Sequence, residues 1–381
     1  MQPVLARLSV LCDQVGAADF LEYFLTSLEN LKKIPNLILV TSAPCTNPYE
    51  LRAEDIRGAV LIFEYKVLGI RSRVFTSNDF DGRRAVIAPA KTKVHISTIV
   101  CRYLMEHGAQ IVCLIFAPGS EESCKPCLER TMVGAGNIRW ATRTRPAGAS
   151  FALADTVEAT LATMGSHTRR NFRYYRRKAE TELQCTFCGD IRNTLTRAQL
   201  SELNRASTHP VPDSVLDRRY KTLKTMEGLF CIGLKAVGGQ WISLLGGRRH
   251  HGTTEIDWQM NRSGLAKYSI GTIIRYYLIE HEIGIGTKNL FFEGGTPHSM
   301  RHSFLPQKAT DIIAASRSPF VSLLRKAAPW TALNRNFVIQ TLLNPELEWN
   351  SSRAAISYDS SPAQTSVEPQ TLSQTRCSTK V

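Results

Sequence analysis

The stretch "MNRSGLAKYSIGTIIRYYLIEHEIGIG" (residues 260–286) opens polar, becomes a periodic apolar run and closes on two glycines. Ile270, Ile273, Ile274, Tyr277 and Leu278 recur at the spacing that gathers side chains on one stripe of an α-helix. Ser269 stands just ahead of the stripe, where its hydroxyl is expected to accept from an otherwise unbonded backbone N–H. Gly284 and Gly286 are stop signals. Before the helix, in "TTEIDWQMN", Ile256, Trp258 and Met260 alternate with Glu255, Asp257, Gln259 and Asn261, as in a half-buried strand. After it, "KNLFFEGG" reads as a short buried strand ending at Glu293. The order is strand, short loop, helix, strand. Such a loop faces free N–H groups and the positive end of the helix dipole, an environment that stabilises an anion. On these residues alone two readings stand, a helix cap and a phosphate cradle.

At 381 residues the chain is long enough for two domains with cores of ordinary size. No apolar run approaches the length of a membrane span. The start, "MQPVLARLSVLCDQ", is broken by Arg7 and Asp13 and lacks a secretory apolar region, so a cytoplasmic location is expected. Cys101, Cys113 and Cys231 lie inside apolar patterns, where a thiol behaves as a small hydrophobe, and a reducing compartment follows. The net charge of +14 favours an anionic partner: nucleic acid, a nucleotide-bearing cofactor or a membrane surface.

Outward from the opening stretch, the first half reads as strand "LARLSVLC", a helix over residues 17–33, and strands "NLILVTSA" and "RGAVLIFEYKV". A polar loop, "RRAVIAPA", a helix over 96–107, strand "QIVCLIFA", a helix over 121–132 and a strand near Ile138 follow. "RPAGASFAL" is then a Pro/Gly-marked connection. The second half repeats a similar order, with helices over 197–206 and 214–226 before the strands that lead to the Ser269 helix, and a short helix near Met300 after it. The expected division is a first lobe over 1–165, a basic linking helix over 166–183, a second lobe over 184–335, and a Ser/Thr/Gln/Pro-rich disordered tail over 351–381.

The stretches "SHTRRNFRYYRRKAETEL", "IDWQMNRSGLAKYSIGTIIRYYLIEHEIGIG" and "NLFFEGGTPHSMRHSF" resemble the tandem-lobed branch of the GNAT acyltransferase superfamily. Within it they look most like the BioF2-like acetyltransferase domain, a relative of the Fem aminoacyltransferases. The resemblance implies an α+β fold of two tandem GNAT-like lobes, each a mixed, largely antiparallel sheet flanked by helices, joined by the basic helix. It also implies acyl-CoA as donor, its pyrophosphate lying on the backbone that enters the central helix, here Tyr268, Ser269, Ile270, Gly271 and Thr272. The superfamily signature is Arg/Gln-x-x-Gly-x-Gly/Ala. This sequence departs from it, with one glycine where two small residues are usual.

Acyl transfer by direct attack needs a carboxylate base near the acceptor. Two stand on the right elements: Glu293, beside two glycines that free the backbone for close approach, and Asp257 on the preceding strand, on the face shared with Glu255 and Gln259. "GGRRHHG" (residues 246–252) reads as a hairpin turn with two exposed arginines, His251 being a minor alternative base. The pairs Cys124/Cys127 and Cys185/Cys188 are too far apart for a zinc ribbon, so no metal is expected. In "RRNFRYYRRK", Arg169, Arg173 and Arg176 share a helical side with interleaved tyrosines, and suit either anion binding or a linking role. The leading expectation is an acyltransferase acting on a small-molecule, glycan or lipid precursor linked to cell-envelope or exopolysaccharide synthesis. Two alternatives are an aminoacyl-tRNA-dependent transferase, with tRNA as partner, and a non-catalytic nucleic-acid-binding scaffold.

Overall fold

The computed structural model describes residues 33–42, 50–67, 70–77, 86–89, 91–116, 121–132, 137–250, 252–292, 304–319 and short pieces elsewhere. The chain divides into two units, Met1–Arg145 with Lys308–Val381, and Pro146–Gln307. The first contains strands β1 (Lys33–Thr41), β2 (Ile56–Val67), β3 (Ile70–Thr76), β4 (Val86–Ile87) and β5 (Ile111–Leu114), with helices α1 (Lys93–Glu106) and α2 (Glu121–Thr131). Strand β6 (Ile138–Ala152) carries the chain into the second unit. There follow α3 (Val157–Ala162), α4 (Ser166–Lys178), β7 (Thr186–Cys188), α5 (Arg197–Arg205), α6 (Asp213–Thr225), β8 (Leu229–Lys235), β9 (Trp241–His250), β10 (Thr253–Asn261), α7 (Ile270–Gly284) and β11 (Asn289–Phe292). Strand β12 (Leu305–Ser316) returns it to the first.

Among the described residues both units are mostly antiparallel with one parallel pair each. In the first, β1, β2 and β3 pair antiparallel in turn, β3 pairs parallel with β5, and β5 antiparallel with β12. In the second, β7 to β10 pair antiparallel in turn, β10 pairs parallel with β11, and β11 antiparallel with β6. A parallel pair requires a crossover, and each is spanned by a connection carrying a helix, α1 in one unit and α7 in the other. The repeated element order of the sequence is thus a repeated topology.

In the second unit, alternate strand residues feed two apolar layers. Phe230, Ile232, Ile242 and Ile256 pack with Phe172 of α4 and Ile273, Ile274 and Leu278 of α7. Cys231, Trp241, Leu244 and Met260 pack with Leu200 and Leu203 of α5 and Leu216 and Leu223 of α6. The first unit gathers Val60, Ile62, Val100, Leu104, Val112, Leu114 and Ile312.

Several local expectations are corrected. "LARLSVLC" is helical over residues 8–12: Leu8, Leu11 and Cys12 are buried while Val10 is 45 % exposed, a helical rather than a strand period. The polar loop contains β3, whose Arg71 is satisfied by the buried carboxylate of Glu64. "RPAGASFAL" is not a connection but the continuation of β6, where Gly148, at φ 121°, lets the carbonyl of Phe292 and the ring of Phe291 approach closer than any Cβ would allow. Residues 17–30, and the short helix near Met300, lie outside the described residues. So does the segment beyond Ser351, except for Gln374–Arg376, which pairs with β1. No helix among the described residues is long and apolar enough to cross a membrane.

Candidate functional site: the entrance to helix α7

Ala266–Tyr268 forms one 3₁₀ turn, Ser269 adopts a left-handed conformation (φ 50°, ψ 52°), and α7 begins at Ile270. The N–H groups of Thr272 and Ile273 both reach the Ser269 carbonyl, at 2.8 and 3.2 Å. Those of Ile270 and Gly271 take no hydrogen bond among the described residues. The Ser269 hydroxyl does not cap the helix as expected. It pairs instead with the Thr272 hydroxyl at 2.8 Å, because the left-handed turn carries it away from the backbone donors. A non-glycine residue in this region is uncommon and marks a conformation imposed by its surroundings.

Opposite this turn stand two amides of β10. A Cβ on Gly271 would lie 3.2 Å from Gln259 Nε2 and 3.3 Å from Asn261 Nδ2. Gln259 Nε2 donates to Asn261 Oδ1 at 3.0 Å, and the Ser243 hydroxyl of β9 donates to the same oxygen at 2.7 Å. Arg275 Nε, one turn into α7, donates to Gln259 Oε1 at 3.2 Å. Burial pushes the Arg275 guanidinium down to about 10, which leaves it cationic at neutral pH. The ammonium groups of Lys267 and Lys178 lie 4.7 and 5.6 Å from the Tyr268 ring centroid. The entrance thus combines two unbonded N–H groups, paired hydroxyls, an amide relay and three cations.

Of the expected catalytic carboxylates, Glu293 lies outside the described residues. Its neighbour Phe292 pairs with Ile256, immediately before Asp257. At that point the β9–β10 register slips, between Ile256 and Trp258, and this bulge breaks the alternation that placed Asp257 on a face with Glu255 and Gln259. Glu255 is buried against Arg248 and lies 2.9 Å from His250 Nε2. Gln259 serves the α7 side. Asp257 is exposed, and the adjoining Trp258 packs with the α5–α6 layer, its ring 5.2 Å from the Arg219 guanidinium. Burial and the neighbouring Arg218 push Arg219 down to about 10, while the Asp257 carboxylate draws it up.

The glycines of "GGRRHHG" have a different use from the one expected. Gly246 and Gly247 lie within β9, beneath the bulge, where a Cβ would strike the Trp258 ring or the Glu255 carbonyl. The turn comes later, at Gly252 with φ 71°. Arg248 is buried rather than exposed, and Arg249 reaches the buried Glu282 of α7 with both Nε and Nη2. The Thr254 and Thr287 hydroxyls complete the shell of Glu282.

The arginines of α4 are engaged within the chain. Arg169 donates to the carbonyls of Ala162 and Met164, at 3.0 and 3.2 Å. Arg173 lies 3.8 Å from Glu158. Arg176 holds Glu180 at 2.8 Å and Glu280 at 3.5 Å, with its guanidinium 4.6 Å from the Tyr276 ring centroid. The three reach different partners, on α3, in the π-helical turn Ala179–Leu183 that follows α4, and on α7. Gln259, Asn261 and Arg275 were not among the residues singled out from sequence. For Gln259 and Asn261 a signal was present, as amides at alternate positions of a strand that leads to a helix start, but such amides are common on solvated strand faces.

No family model matches the sequence, and no curated protein matches it. Solved structures do. FemX matches with a TM-score of 0.54 at 7 % identity, over 79 % of this chain and 92 % of that one. L-PGS from Bacillus licheniformis matches with a TM-score of 0.50 at 12 % identity, over 84 % of this chain and 94 % of that one. A tandem GNAT protein from the clavulanic acid biosynthesis pathway matches at 0.47 and 12 % identity, over 84 % and 96 %.

Proposed function

Because the chain has this FemAB/GNAT-like tandem fold, we propose that its second unit moves an acyl group from acyl-CoA to an amine or hydroxyl of a sugar, lipid or cell-envelope precursor. What supports this is the entrance to α7. A donor diphosphate needs backbone N–H groups, room for close approach and positive charge, and Ile270, Gly271 and the Arg275–Lys267–Lys178 set supply them. In the reaction the acceptor nitrogen or oxygen bonds to the thioester carbonyl carbon, the C–S bond breaks, and the CoA thiolate leaves. The acceptor proton passes to a carboxylate, Glu293 or Asp257, and no acyl-enzyme is needed.

Thermal melts of the full chain with acetyl-CoA, longer acyl-CoAs and total tRNA test this reading. An acyl-CoA donor should raise the melting temperature with concentration in the wild type and not in Gly271→Val. Stabilisation by tRNA alone would favour an aminoacyl-tRNA donor, which the Fem resemblance implies and the +14 charge and exposed Arg170, Arg173 and Arg177 support. No response to either would leave a non-catalytic scaffold.

A further inference from the structure

Charge decides which way round the two amides at the α7 entrance stand. A guanidinium carries donors only, so the Gln259 side chain must turn its oxygen to Arg275 Nε, 3.2 Å away. Its nitrogen is thereby turned to Asn261, where it donates to Oδ1 at 3.0 Å. The Ser243 hydroxyl of β9 donates to the same oxygen at 2.7 Å. Asn261 thus commits its oxygen inward to two donors. Its Nδ2 group is left near Gly271, 3.3 Å from the point a Cβ there would occupy, and it takes no acceptor among the described residues.

Burial separates the roles of these side chains. Ser243 is fully buried and cannot touch a bound molecule, whereas Asn261 is only half-buried and its Nδ2 is not among the donors shut away from solvent. An amide free to turn over could present its oxygen instead, and that oxygen would repel an anion. Held as it stands, it adds a side-chain N–H to the unbonded backbone N–H groups of Ile270 and Gly271. The relay therefore makes this face of the entrance a donor face. We propose that Asn261 is a ligand-contacting residue, donating from Nδ2 to an anionic oxygen of the donor's diphosphate, and that Arg275, Gln259 and Ser243 act as positioning residues that hold it donor-outward. This rests on the reading of the α7 entrance as the donor-diphosphate site.

Titration calorimetry of the full chain with coenzyme A, which carries the diphosphate and no acyl group, tests it. Asn261→Ala should weaken binding by about tenfold, the loss of one hydrogen bond to a charged oxygen. Asn261→Asp, of the same size but accepting only, should abolish it. Ser243→Ala should weaken binding several-fold in the wild-type background and have no further effect in Asn261→Ala, because it acts only through that amide. Gln259→Met should behave in the same way. Equal affinity in the wild type and Asn261→Ala, with Gly271→Val still abolishing binding, overturns this proposal and leaves the donor site standing. Additive losses from Ser243→Ala and Asn261→Ala overturn the positioning role. Failure of the wild type to bind coenzyme A removes the donor reading and this proposal with it. Should Gln259→Met or Asn261→Asp not fold, Ser243→Ala and Asn261→Ala decide alone.

Discussion

At Gly271 a single methyl group would press on two amides at once, those of Gln259 and Asn261. Both are the far ends of flexible side chains and can give by a few tenths of an ångström. Gly271→Ala should therefore shift stability by no more than about 1 kcal/mol, since the helix preference for alanine opposes the contact. It should nevertheless weaken acetyl-CoA binding measured by calorimetry, and Gly271→Val should abolish it. Unchanged affinity in both would mean that the entrance holds no donor. On the acceptor side, Glu293→Gln and Asp257→Asn separate the two candidate bases. The one that takes the proton should lose ~10²–10⁴ in kcat with donor affinity intact, and full turnover in both would place the base elsewhere. The turn that opens α7 was legible in the sequence because glycine and serine before an apolar stripe are local signals. The left-handed Ser269 was not, because a serine there fits an ordinary cap equally well.

Helix α7 joins two chemistries, a cationic entrance and a buried carboxylate near its far end. Its apolar stripe was fully legible: Ile270, Ile273, Ile274, Tyr277 and Leu278 are all buried. Glu282 was not, since nothing in a periodic pattern reveals that an acidic residue will meet a bidentate arginine and two threonines. Glu282→Ala should cost about 3–5 kcal/mol, because it strands Arg249 without its partner, and a denaturant melt would show it. Glu282→Gln, which keeps the threonine bonds, should cost less. The β10 bulge was equally hidden, for strict alternation cannot encode one extra residue; its only trace was the Gly246–Gly247 pair. Next to Glu282, burial holds the His281 imidazole below its ordinary value of 6.5, although Glu282 and Asp190 draw it up. The folded chain then binds fewer protons there than the unfolded one, so stability should fall as pH drops below 6.5 toward the folded value. His281→Gln should flatten that part of the pH–stability curve, and an unchanged slope would assign it to other groups.

Across the whole molecule, the fold was legible where short stretches coincide with a repeated strand–helix–strand crossover. The basic helix was legible more as charge than as contacts. Arg169, Arg173 and Arg176 find carbonyls and carboxylates within their own unit; Glu180 stands at i,i+4 from Arg176 and could be read from helical spacing, whereas Glu280, 104 positions on, could not. Replacing all three by Gln should lower the melting temperature by several degrees, through the contacts of α4 with α3 and α7. An unchanged melt combined with weaker tRNA retention would instead give these arginines an outward role.

The second unit is one unbroken stretch, Pro146–Gln307, whereas the first is assembled from two, Met1–Arg145 and Lys308–Val381. Strand β5 takes its partner from Ile312 to Ala315 of β12, residues made only after the second unit is complete. On the ribosome, the unit that begins first should therefore finish last. Its exposed strand edge waits through the synthesis of more than half the remaining chain, with aggregation as the hazard during that interval. A fragment of residues 146–307 should melt cooperatively, while a fragment of residues 1–145 should not. Cooperative melting of the shorter fragment would mean that β5 can be closed without β12.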